Sequence, residues 1–499
     1  MKNINNNNWN IGQFWKKIKQ FFFNLSNTKI IFIAYFFVTI FTSLLLLSPF
    51  AHLPGVEVSY IDALFTAASA FSDTGLVTVV TSETWSMFGQ AIIAILILLG
   101  GIGIFALKVY IFNFILGRKL NLSTSNLLDK ERSSKDASLS KKTIIVSISL
   151  IFILIALSSF ILSFVFYFEL PNEINIKNNP VGDIGLSIRF AVFHSISAIN
   201  NAGFDIIGSS SLAPYYTAYT MQLVFMVLFI IGGIGYPVIY DTYSFLRHKV
   251  KRLPGKAPAF SLFSKISCIS YLAVSVIGLI LAFSFETTSM RSLDGDEVSL
   301  WQSDIGDTGS KVMAIFFNTF STRNAGFATI NLKQLSEPTI IIYSIMMFIG
   351  SAPSSTAGGI RTTTIALVIL SIVSKVRGTP NVRAFNRKIP QKTTSAAQIV
   401  FAISVVIVLV VSMITMSSIH NETLQNFGFI DAFFEVSSAF GTTGLSTGLT
   451  SSLNEISKIA IILTMFIGQL GISSTILIWR RNKNKQFTFD YLEEEIAIG

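Results

Sequence analysis

Long apolar runs alternate with short, semi-apolar stretches along almost the whole chain. The first run, 30–50, is long enough to cross a hydrocarbon core of about 30 Å, which takes about 20 apolar residues in a helix. Seven further runs follow, at about 85–116, 143–168, 219–246, 263–285, 339–375, 396–417 and 456–479. The pattern predicts eight transmembrane helices, grouped in four pairs.

A shorter stretch lies between the two members of each pair, below the roughly 17 residues that a crossing helix needs. The four stretches align without gaps, since each has a Phe ten residues before a Gly and a Leu or Phe directly after it. They occupy 65–75, 193–203, 316–326 and 434–444. One copy alone is more typical of an ordinary glycine-containing loop end. Four copies, each between two spans, indicate an internal repeat of re-entrant segments.

The predicted fold class is an all-α integral membrane protein, with four pseudo-repeats of span, re-entrant pore loop and span around one central pore. The predicted divisions are a cytoplasmic N-terminal segment 1–29, repeat 1 at 30–116, a cytoplasmic linker 117–142, repeat 2 at 143–247, a cytoplasmic linker 248–262, repeat 3 at 263–375, a cytoplasmic linker 376–395, repeat 4 at 396–481 and a C-terminal tail 482–499.

Composition supports a membrane protein, because 51% of the residues are hydrophobic and only 13% are charged, against about 25% charged in soluble domains. The net charge of +10 does not indicate nucleic-acid binding, which uses basic patches on soluble folds. The basic residues instead cluster between apolar runs, as at 247–252, 383–388 and 480–481. The positive-inside rule then places these clusters and both termini in the cytoplasm.

Two residue types limit the chemistry. The single cysteine, Cys268, excludes an internal disulfide. The four histidines are scattered without ligand spacing, so we expect no metal centre other than sites for a transported ion.

Four re-entrant segments that meet on one axis would form a pathway for a cation. Backbone that leaves the helix at membrane depth must be surrounded by protein or line a water-filled space. A ring of backbone carbonyls there replaces the hydration shell of a dehydrated cation. Glycine suits such a segment because it adopts backbone angles that residues with a Cβ resist.

The second span of repeat three contains ten residues that are unsuited to a lipid-facing helix. They are Gly350, Ser351, Ala352, Pro353, Ser354, Ser355, Thr356, Ala357, Gly358 and Gly359. Gly and Pro weaken or break helices, and broken backbone in a membrane needs protein or a cavity around it. The residues alone leave two interpretations open, a gate under the re-entrant segments or a kink packed against neighbouring helices.

Arg361 follows this segment directly. A cation within a membrane is costly and is by default a functional candidate. In one interpretation Arg361 repels ions in a closed state or pairs with a carboxylate. In the other it reaches the inner surface or caps the carbonyls of the preceding segment.

The motifs around these features resemble a known family from about residue 30 to the C-terminus. The matching stretches are 74–76, 200–204, 322–327 and 443–445 in the re-entrant segments, and 99–103, 231–237 and 358–364 in the second spans. Their combination is similar to the membrane subunit of the bacterial Ktr potassium-uptake systems, in the Trk/Ktr/HKT superfamily.

This resemblance implies potassium uptake through a selectivity filter. It identifies the filter glycines as Gly75, Gly203, Gly326 and Gly444, and the carbonyls that line the ion sites as those of Asp73, Thr74, Asn201, Ala202, Asn324, Ala325, Thr442 and Thr443. Similar proteins with Ser at the first filter position tend to admit sodium, so Gly75 implies a preference for potassium. No cofactor is implied in this chain besides the transported potassium, and a sodium dependence is left open.

The resemblance also implies a gate and partners. It places an intramembrane gating loop at 350–361, and a homodimer whose interface receives the tail 490–499, although a frayed acidic end is the alternative for that tail. A cytosolic octameric ring of nucleotide-binding regulatory subunits is the further implied partner, beside membrane lipid. The chain has no phosphate-binding Gly-rich loop after a strand, so nucleotide control would come from that ring.

Two residues depart from the family's pattern. Similar proteins usually carry an Arg in the last span, in the pore below the filter, where this chain has Gln469. The hypothesis is that the ion barrier is weaker here or is carried by Arg361. Asp73 is an acid beside the filter, which either draws cations into the outer vestibule or turns back into the protein and accepts hydrogen bonds from loop amides.

Three other classes of function fit the sequence less well. A secondary sodium or potassium symporter with coupled transport is the main alternative, although that class usually has two repeats and a midplane site. A membrane enzyme is disfavoured because no catalytic motif or cluster of acids and histidines lies in a span. A scaffold would not need four glycine-containing re-entrant segments.

Overall fold

The computed structural model describes residues 27–101, 137–172, 179–252, 255, 258–293, 296–302, 306–420, 427–472 and 475. The predicted N-terminal segment up to residue 26, most of the linker 117–142 and the C-terminal tail lie outside these residues. So do the ends of the second spans of repeats 1 and 4, at 102–116 and from 476 onward.

The described chain is mostly helical. Its helices are α1 (Asn27–Leu46), α2 (Tyr60–Phe71), α3 (Thr81–Thr84), α4 (Met87–Gly101), α5 (Ala137–Phe168), α6 (Ile184–Ile199), α7 (Tyr219–Ile234), α8 (Tyr236–Val250), α9 (Leu262–Thr288), α10 (Thr308–Ser321), α11 (Glu337–Ile349), α12 (Thr362–Val376), α13 (Gln391–Met416), α14 (Phe429–Gly441) and α15 (Glu455–Leu470). Two small antiparallel hairpins pair β1 (Arg291–Leu293) with β2 (Asp296–Val298), and β3 (Arg383–Ala384) with β4 (Arg387–Lys388).

Apolar helices occupy the positions of all eight predicted spans, but fewer have the length to cross a membrane. Within the described residues, three helices are long and apolar enough, at Ile148–Phe168, Leu262–Thr288 and Gln391–Ile419. A fourth results if α7 and α8, which are bent by 102°, count as one span. The count of eight therefore stays a prediction.

The bend between α7 and α8 differs from the continuous span predicted at 219–246. Gly235 lies between the two helices with φ 92° and ψ 146°, a conformation that suits residues without a Cβ. Pro237 then stands in the first turn of α8, where its missing N–H costs no helical hydrogen bond. A Gly followed closely by a Pro thus ends one helix and starts another.

The four short helices α2, α6, α10 and α14 all begin with a defined cap. The Ser59 hydroxyl accepts a hydrogen bond from the third backbone N–H of α2, and the carboxylates of Asp183 and Asp307 do the same for α6 and α10. In α14 the Asp431 carboxylate reaches back to the Gly428 N–H, at 2.9 Å. These bonds satisfy N–H groups that a helix start leaves without partners.

The short helices are arranged in a closed ring of contacts. Within the repeats, α2 packs on α1 and α4, α6 on α5 and α7, α10 on α9, and α14 on α13 and α15. Each short helix also packs on the second long helix of the preceding repeat, which pairs α6 with α4, α10 with α7, α14 with α11, and α2 with α15. The last contact joins the fourth repeat to the first, so the four predicted repeats surround a common centre.

Apolar side chains also cover the outside of the bundle. Phe37 on α1 is 69% exposed, Phe160 on α5 is 64% exposed and Ile280 on α9 is 62% exposed. A helix that is apolar on all sides is typical of a membrane span. The outward faces of these helices are therefore suited to lipid.

A buried ion pair joins the β1–β2 hairpin to α14. The Arg291 guanidinium lies 2.7 Å from the Asp431 carboxylate, and the two side chains are 5% and 1% exposed. A second described ion pair joins Lys458 to Asp62, also at 2.7 Å, with side chains 11% and 16% exposed. Asp62 and Asp431 both stand three residues before the Phe that starts the aligned stretch, so they occupy equivalent positions in repeats one and four.

We predict that Asp431→Asn lowers the free energy of unfolding by about 3 kcal/mol, because it leaves the Arg291 charge buried without its partner. Asp62→Asn should lower it by about 1 kcal/mol or less, since the Lys458 side chain can reach water. Thermal unfolding of the purified chain in detergent would measure both changes. Equal losses in the two variants would contradict the interpretation that only the Arg291–Asp431 pair is buried away from water.

Candidate functional site

The four predicted filter glycines meet in a closed ring, called here the glycine ring. A Cβ on Gly75 would lie 2.9 Å from the Gly203 Cα, and a Cβ on Gly203 would lie 2.8 Å from the Gly326 Cα. A Cβ on Gly326 would meet the Thr443 carbonyl oxygen, and one on Gly444 would lie 2.9 Å from the Gly75 Cα. Each glycine therefore touches the backbone of the next repeat, in the order one, two, three, four, one.

The backbone of the four segments repeats the same unusual angles. The glycines have φ values of 86°, 66°, 79° and 94°, and the residues two positions earlier, Asp73, Asn201, Asn324 and Thr442, have φ values of 50°, 57°, 86° and 51°. Positive φ is uncommon for a residue with a side chain and is worth a structural explanation. The shared geometry means that all four segments aim their peptide groups in an equivalent way, with one left-handed residue on either side of the middle position.

Hydrogen bonds to the short helices hold these segments. The backbone N–H of the residue before the glycine donates to the carbonyl five residues earlier in repeats one, two and four, at Thr74, Ala202 and Thr443, over 2.8–2.9 Å. In repeat three the Ala325 N–H donates instead to the carbonyl of Ser321, four residues earlier. The carbonyl end of each short helix therefore lies at the ring. The helix dipole favours a cation at that end.

Glycines on the second long helices of repeats one, two and four let the short helices approach closely. A Cβ on Gly100, Gly232 or Gly468 would collide with a carbonyl oxygen at the end of α2, α6 or α14. Those oxygens belong to Phe71, Ile199 and Phe440, each four residues before a ring glycine. Gly100 and Gly232, which belong to the motifs that begin at 99 and 231, therefore have a packing role, since they bring the long helix against the base of the ring.

Loop 350–361 is the non-helical segment between α11 and α12, and it packs against the ring. The Gly358 N–H donates to the Thr442 hydroxyl at 2.7 Å, and the Gly359 N–H donates to the Phe440 carbonyl at 3.1 Å. On its other side the Ala352 N–H donates to the Gly233 carbonyl at 3.2 Å. All its residues from Ser351 to Ile360 are buried except for partly exposed Pro353 and Ser354.

The loop is closed by contacts between its own ends. Gly350 and Gly359 have φ values of 63° and 81°, and a Cβ on Gly359 would lie 2.8 Å from the Gly350 Cα. The Thr362 N–H donates to the Ser351 carbonyl at 3.0 Å. Only glycine permits this approach, so the two ends of the broken helix are held side by side and the loop forms one compact unit.

The Arg361 guanidinium caps carbonyls of the loop, as one of the two interpretations from the sequence predicts. Its guanidinium donates to the carbonyls of Ala357 and Gly358 and, over 3.1 Å, to the carbonyl of Gln469 on α15. The Arg361 side chain is half-buried. A single cation therefore fixes the end of the loop and joins it to the last helix.

Gln469 and Asp73, the two departures from the family's pattern, are in direct contact. The Gln469 amide donates to the Asp73 carboxylate at 3.0 Å, and the Tyr35 hydroxyl donates to the Gln469 carbonyl oxygen at 2.5 Å. The Asp73 side chain is fully buried. It is therefore turned into the protein and does not reach an outer vestibule, although its partner is a side-chain amide and not the loop amides that the sequence suggested.

Two further residues at this site, Tyr35 and Arg323, were not predicted from the sequence. Tyr35 lies on α1 among many aromatic residues, and no local signal distinguishes it. Arg323 is fully buried and donates to the carbonyls of Met346 and Gly350. A lone Arg within the small and hydroxyl residues of the third segment was a signal that could have found it. Among the described residues no group of His, Cys, Asp or Glu could hold a metal ion.

The family model of the TrkH cation transport proteins matches residues 12–491. The chain belongs to this family. Its helices and composition make it a membrane protein, and like the family it is located in the plasma membrane.

Three known proteins illustrate the relationship. The chain is 34% identical to an uncharacterized cation transporter, MG322, of Mycoplasma genitalium, over 89% of this chain and 88% of that protein. It is 33% identical to the Ktr system potassium uptake protein D of Bacillus subtilis, over 93% of this chain and 96% of that protein. The crystal structure of the potassium transporter TrkH from Vibrio parahaemolyticus superposes with a TM-score of 0.63 at 18% identity, covering 92% and 87% of the two chains. The Ktr resemblance predicted from the motifs is confirmed, and the family is one of transporters rather than enzymes.

We predict that Gly203→Ala reduces cation uptake at least tenfold, because its Cβ would enter the backbone of the neighbouring repeat. Gly182→Ala is the matched control, since Gly182 also has a positive φ, 78°, but has no atom within 4 Å of an added Cβ. Both substitutions carry the strain of a left-handed residue, about 1–2 kcal/mol. Rubidium uptake by cells that express each variant would compare them, and an equal loss in both would mean that strain alone, not crowding of the ring, is responsible.

Proposed function

We propose that this chain carries potassium into the cell through a four-repeat selectivity filter with an intramembrane gate. The observation that supports the proposal most directly is the glycine ring, in which four non-helical segments contact one another in cyclic order. Four carbonyl-bearing segments around one axis are the arrangement that replaces the hydration shell of a cation. The potassium-uptake name of the Bacillus subtilis relative supports the choice of ion.

The architecture that goes with this function has eight spans and four re-entrant pore loops, with the repeat and linker boundaries predicted from the sequence and both termini in the cytoplasm. The cyclic packing of α2, α6, α10 and α14 on the neighbouring long helices supports it. The exposed basic residues of α8 and the β3–β4 hairpin, such as Arg247, Arg387 and Lys388, support a cytoplasmic side at that end.

In this proposal the ion sites are backbone sites. The carbonyls just before each ring glycine, from Asp73 and Thr74 to Thr442 and Thr443, face the ion, and potassium is preferred over sodium because the first position is Gly75. A serine there would place a Cβ 2.9 Å from the Gly203 Cα and distort the second segment. The chain needs no resident cofactor for this function.

Loop 350–361 is the proposed gate. Its contacts with Gly233, Phe440 and Thr442 place it against the second and fourth repeats, and the Arg361 cap joins it to α15. To open, the loop must exchange these backbone hydrogen bonds for others or for water. Because each such bond contributes only about 1 kcal/mol net, a compact loop of this kind can move without unfolding the helices beside it.

The proposed partners are a second copy of the chain and a cytosolic octameric ring of nucleotide-binding regulatory subunits. The basic residues of α8 and of the β3–β4 hairpin are exposed, so they offer a surface for an acidic partner. Nucleotide sensing belongs to that ring in this proposal, and the tail 490–499 that would enter the dimer interface lies outside the described residues.

Rubidium uptake into cells that lack other potassium-uptake systems tests the proposal. Expression of this chain with its regulatory partner should restore growth at low external potassium, and Gly75→Ser should lower the rubidium-to-sodium uptake ratio while the chain still reaches the membrane. Uptake with and without external sodium separates potassium-only transport from coupled transport. No rescue by the unsubstituted chain would refute the function, and an unaltered ion preference in Gly75→Ser would show that this segment is not the filter.

A second prediction concerns the neutral Gln469. An arginine there would place a positive charge in the path, and two unit charges about 4 Å apart interact by about 4 kcal/mol at an effective dielectric constant of 20. We expect Gln469→Arg to lower the flux only modestly, because the new charge would pair with Asp73, now 3.0 Å from the Gln469 amide. Asp73→Asn combined with Gln469→Arg should lower the flux at least tenfold. Unchanged flux in both variants, measured as rubidium uptake, would contradict a charge barrier at this position.

A further inference from the structure

Arg323 is a buried cation in the third predicted filter segment, directly before Asn324. Its side chain is 1% exposed, and a buried guanidinium is costly unless its donors are satisfied. Of the two ion pairs in the described part of the chain, neither includes Arg323. Its charge must therefore be balanced by neutral groups.

The balancing groups lie at the end of α11, where loop 350–361 begins. One guanidinium nitrogen donates to the Met346 carbonyl at 3.0 Å, and the other donates to the Gly350 carbonyl. The last carbonyls of a helix have no partner within the helix and carry the negative end of its dipole. The broken helix thus supplies the acceptors that a carboxylate would otherwise provide.

Two further contacts tie Arg323 to its surroundings. The Ser351 hydroxyl donates to the Arg323 carbonyl at 2.8 Å, in the opposite direction to the guanidinium bonds. The guanidinium carbon also lies 5.1 Å from the centre of the Tyr271 ring on α9, which is within the range of a cation–π interaction. The first two residues of the loop are therefore bonded to both the side chain and the backbone of one segment residue.

The other repeats lack this arrangement. The residues aligned with Arg323, three positions before a ring glycine, are Ser72, Asn200 and Gly441. None of them is charged, and none of their second long helices contains a broken stretch like 350–361 within the described residues. The charged residue and the broken helix occur in the same repeat.

We propose that Arg323 is a positioning residue that couples the third segment to the loop, so that movement of the loop changes ion discrimination. This inference rests on the proposed function. If the loop moves, Gly350 takes its carbonyl away, and Arg323 must either follow it or remain buried with fewer acceptors. Because Asn324 and Ala325 come next in the chain, a shift of Arg323 displaces two of the carbonyls assigned to the ion sites. By linkage, ions held at those sites oppose movement of the loop.

The test compares Arg323→Gln, which removes the charge, with Arg323→Lys, which keeps the charge but loses the two-pronged contact. Two quantities are measured on the full-length chain with its partner. One is the rubidium-to-sodium uptake ratio. The other is the rate at which a thiol reagent labels the Ser354→Cys variant in a Cys268→Ser background, because Ser354 is a partly exposed loop residue and Cys268 is the chain's single cysteine.

We expect Arg323→Gln to raise the labelling rate and lower the uptake ratio, each by about tenfold, which lies within the usual range of coupling between two sites. Arg323→Lys should give intermediate values of both. Arg377→Gln, at an exposed arginine that follows α12, is the matched control and should change neither. Ser351→Ala, which removes one hydrogen bond and no charge, should shift both quantities in the same direction by about threefold and serves if Arg323→Gln does not fold.

Separate results refute separate claims. Faster labelling with an unchanged uptake ratio, or a changed ratio with unchanged labelling, would overturn the coupling. A decrease in folded protein with both quantities unchanged per molecule would make Arg323 a purely structural residue and would also overturn it. An unsubstituted chain that takes up no rubidium would refute the proposed function, while labelling of the loop would still report whether Arg323 holds it.

Discussion

The structure depends on four backbone segments that approach one another so closely that no side chain fits between them. At each ring glycine an added Cβ would meet the backbone of a neighbouring repeat, so the contact is made by main chain alone. Main chain outside helices must find other hydrogen-bond partners, and here the segments bond to the carbonyl ends of their own short helices. The capped starts of those helices hold these ends in place, together with Gly100, Gly232 and Gly468 on the long helices.

The parts of the fold that could be predicted from the sequence are those with a local signal. The Phe-to-Gly spacing identified the four segments, because each short helix and the turn after it lie within eleven consecutive residues. The Gly, Ser and Pro content located the break at 350–359. The motifs also led to the correct family. Hydropathy leaves the number of spans a prediction, since a bend such as that at Gly235 shortens a helix without changing the apolar run.

The contacts that the sequence did not predict join residues far apart in the chain. Gln469 and Asp73 are separated by 396 positions, and Arg361 and Gln469 by 108. No periodicity connects such pairs, because they come together only when different repeats pack on one another. For the same reason the side chain of Asp73 was assigned two directions from the sequence, and only the position of α15 distinguishes them.

Loop 350–361 forms hydrogen bonds with several repeats of the molecule. It bonds to the second repeat through Gly233, to the third through Arg323 and to the fourth through Thr442. Through Arg361 it also reaches Gln469, which holds Asp73 of the first segment. The loop is therefore linked by hydrogen bonds to all four repeats, directly or through Gln469, although it belongs to one of them.

The third repeat differs from the others in its helix end at Ser321, in Arg323 and in loop 350–361, which separates α11 from α12. A pore built from four identical subunits would carry every such difference four times, and a mutation would alter all quarters at once. In this chain each position exists once in the glycine ring, so each repeat can change independently of the others. The third repeat could therefore acquire Arg323 and loop 350–361 while the other three kept uncharged residues at the aligned positions.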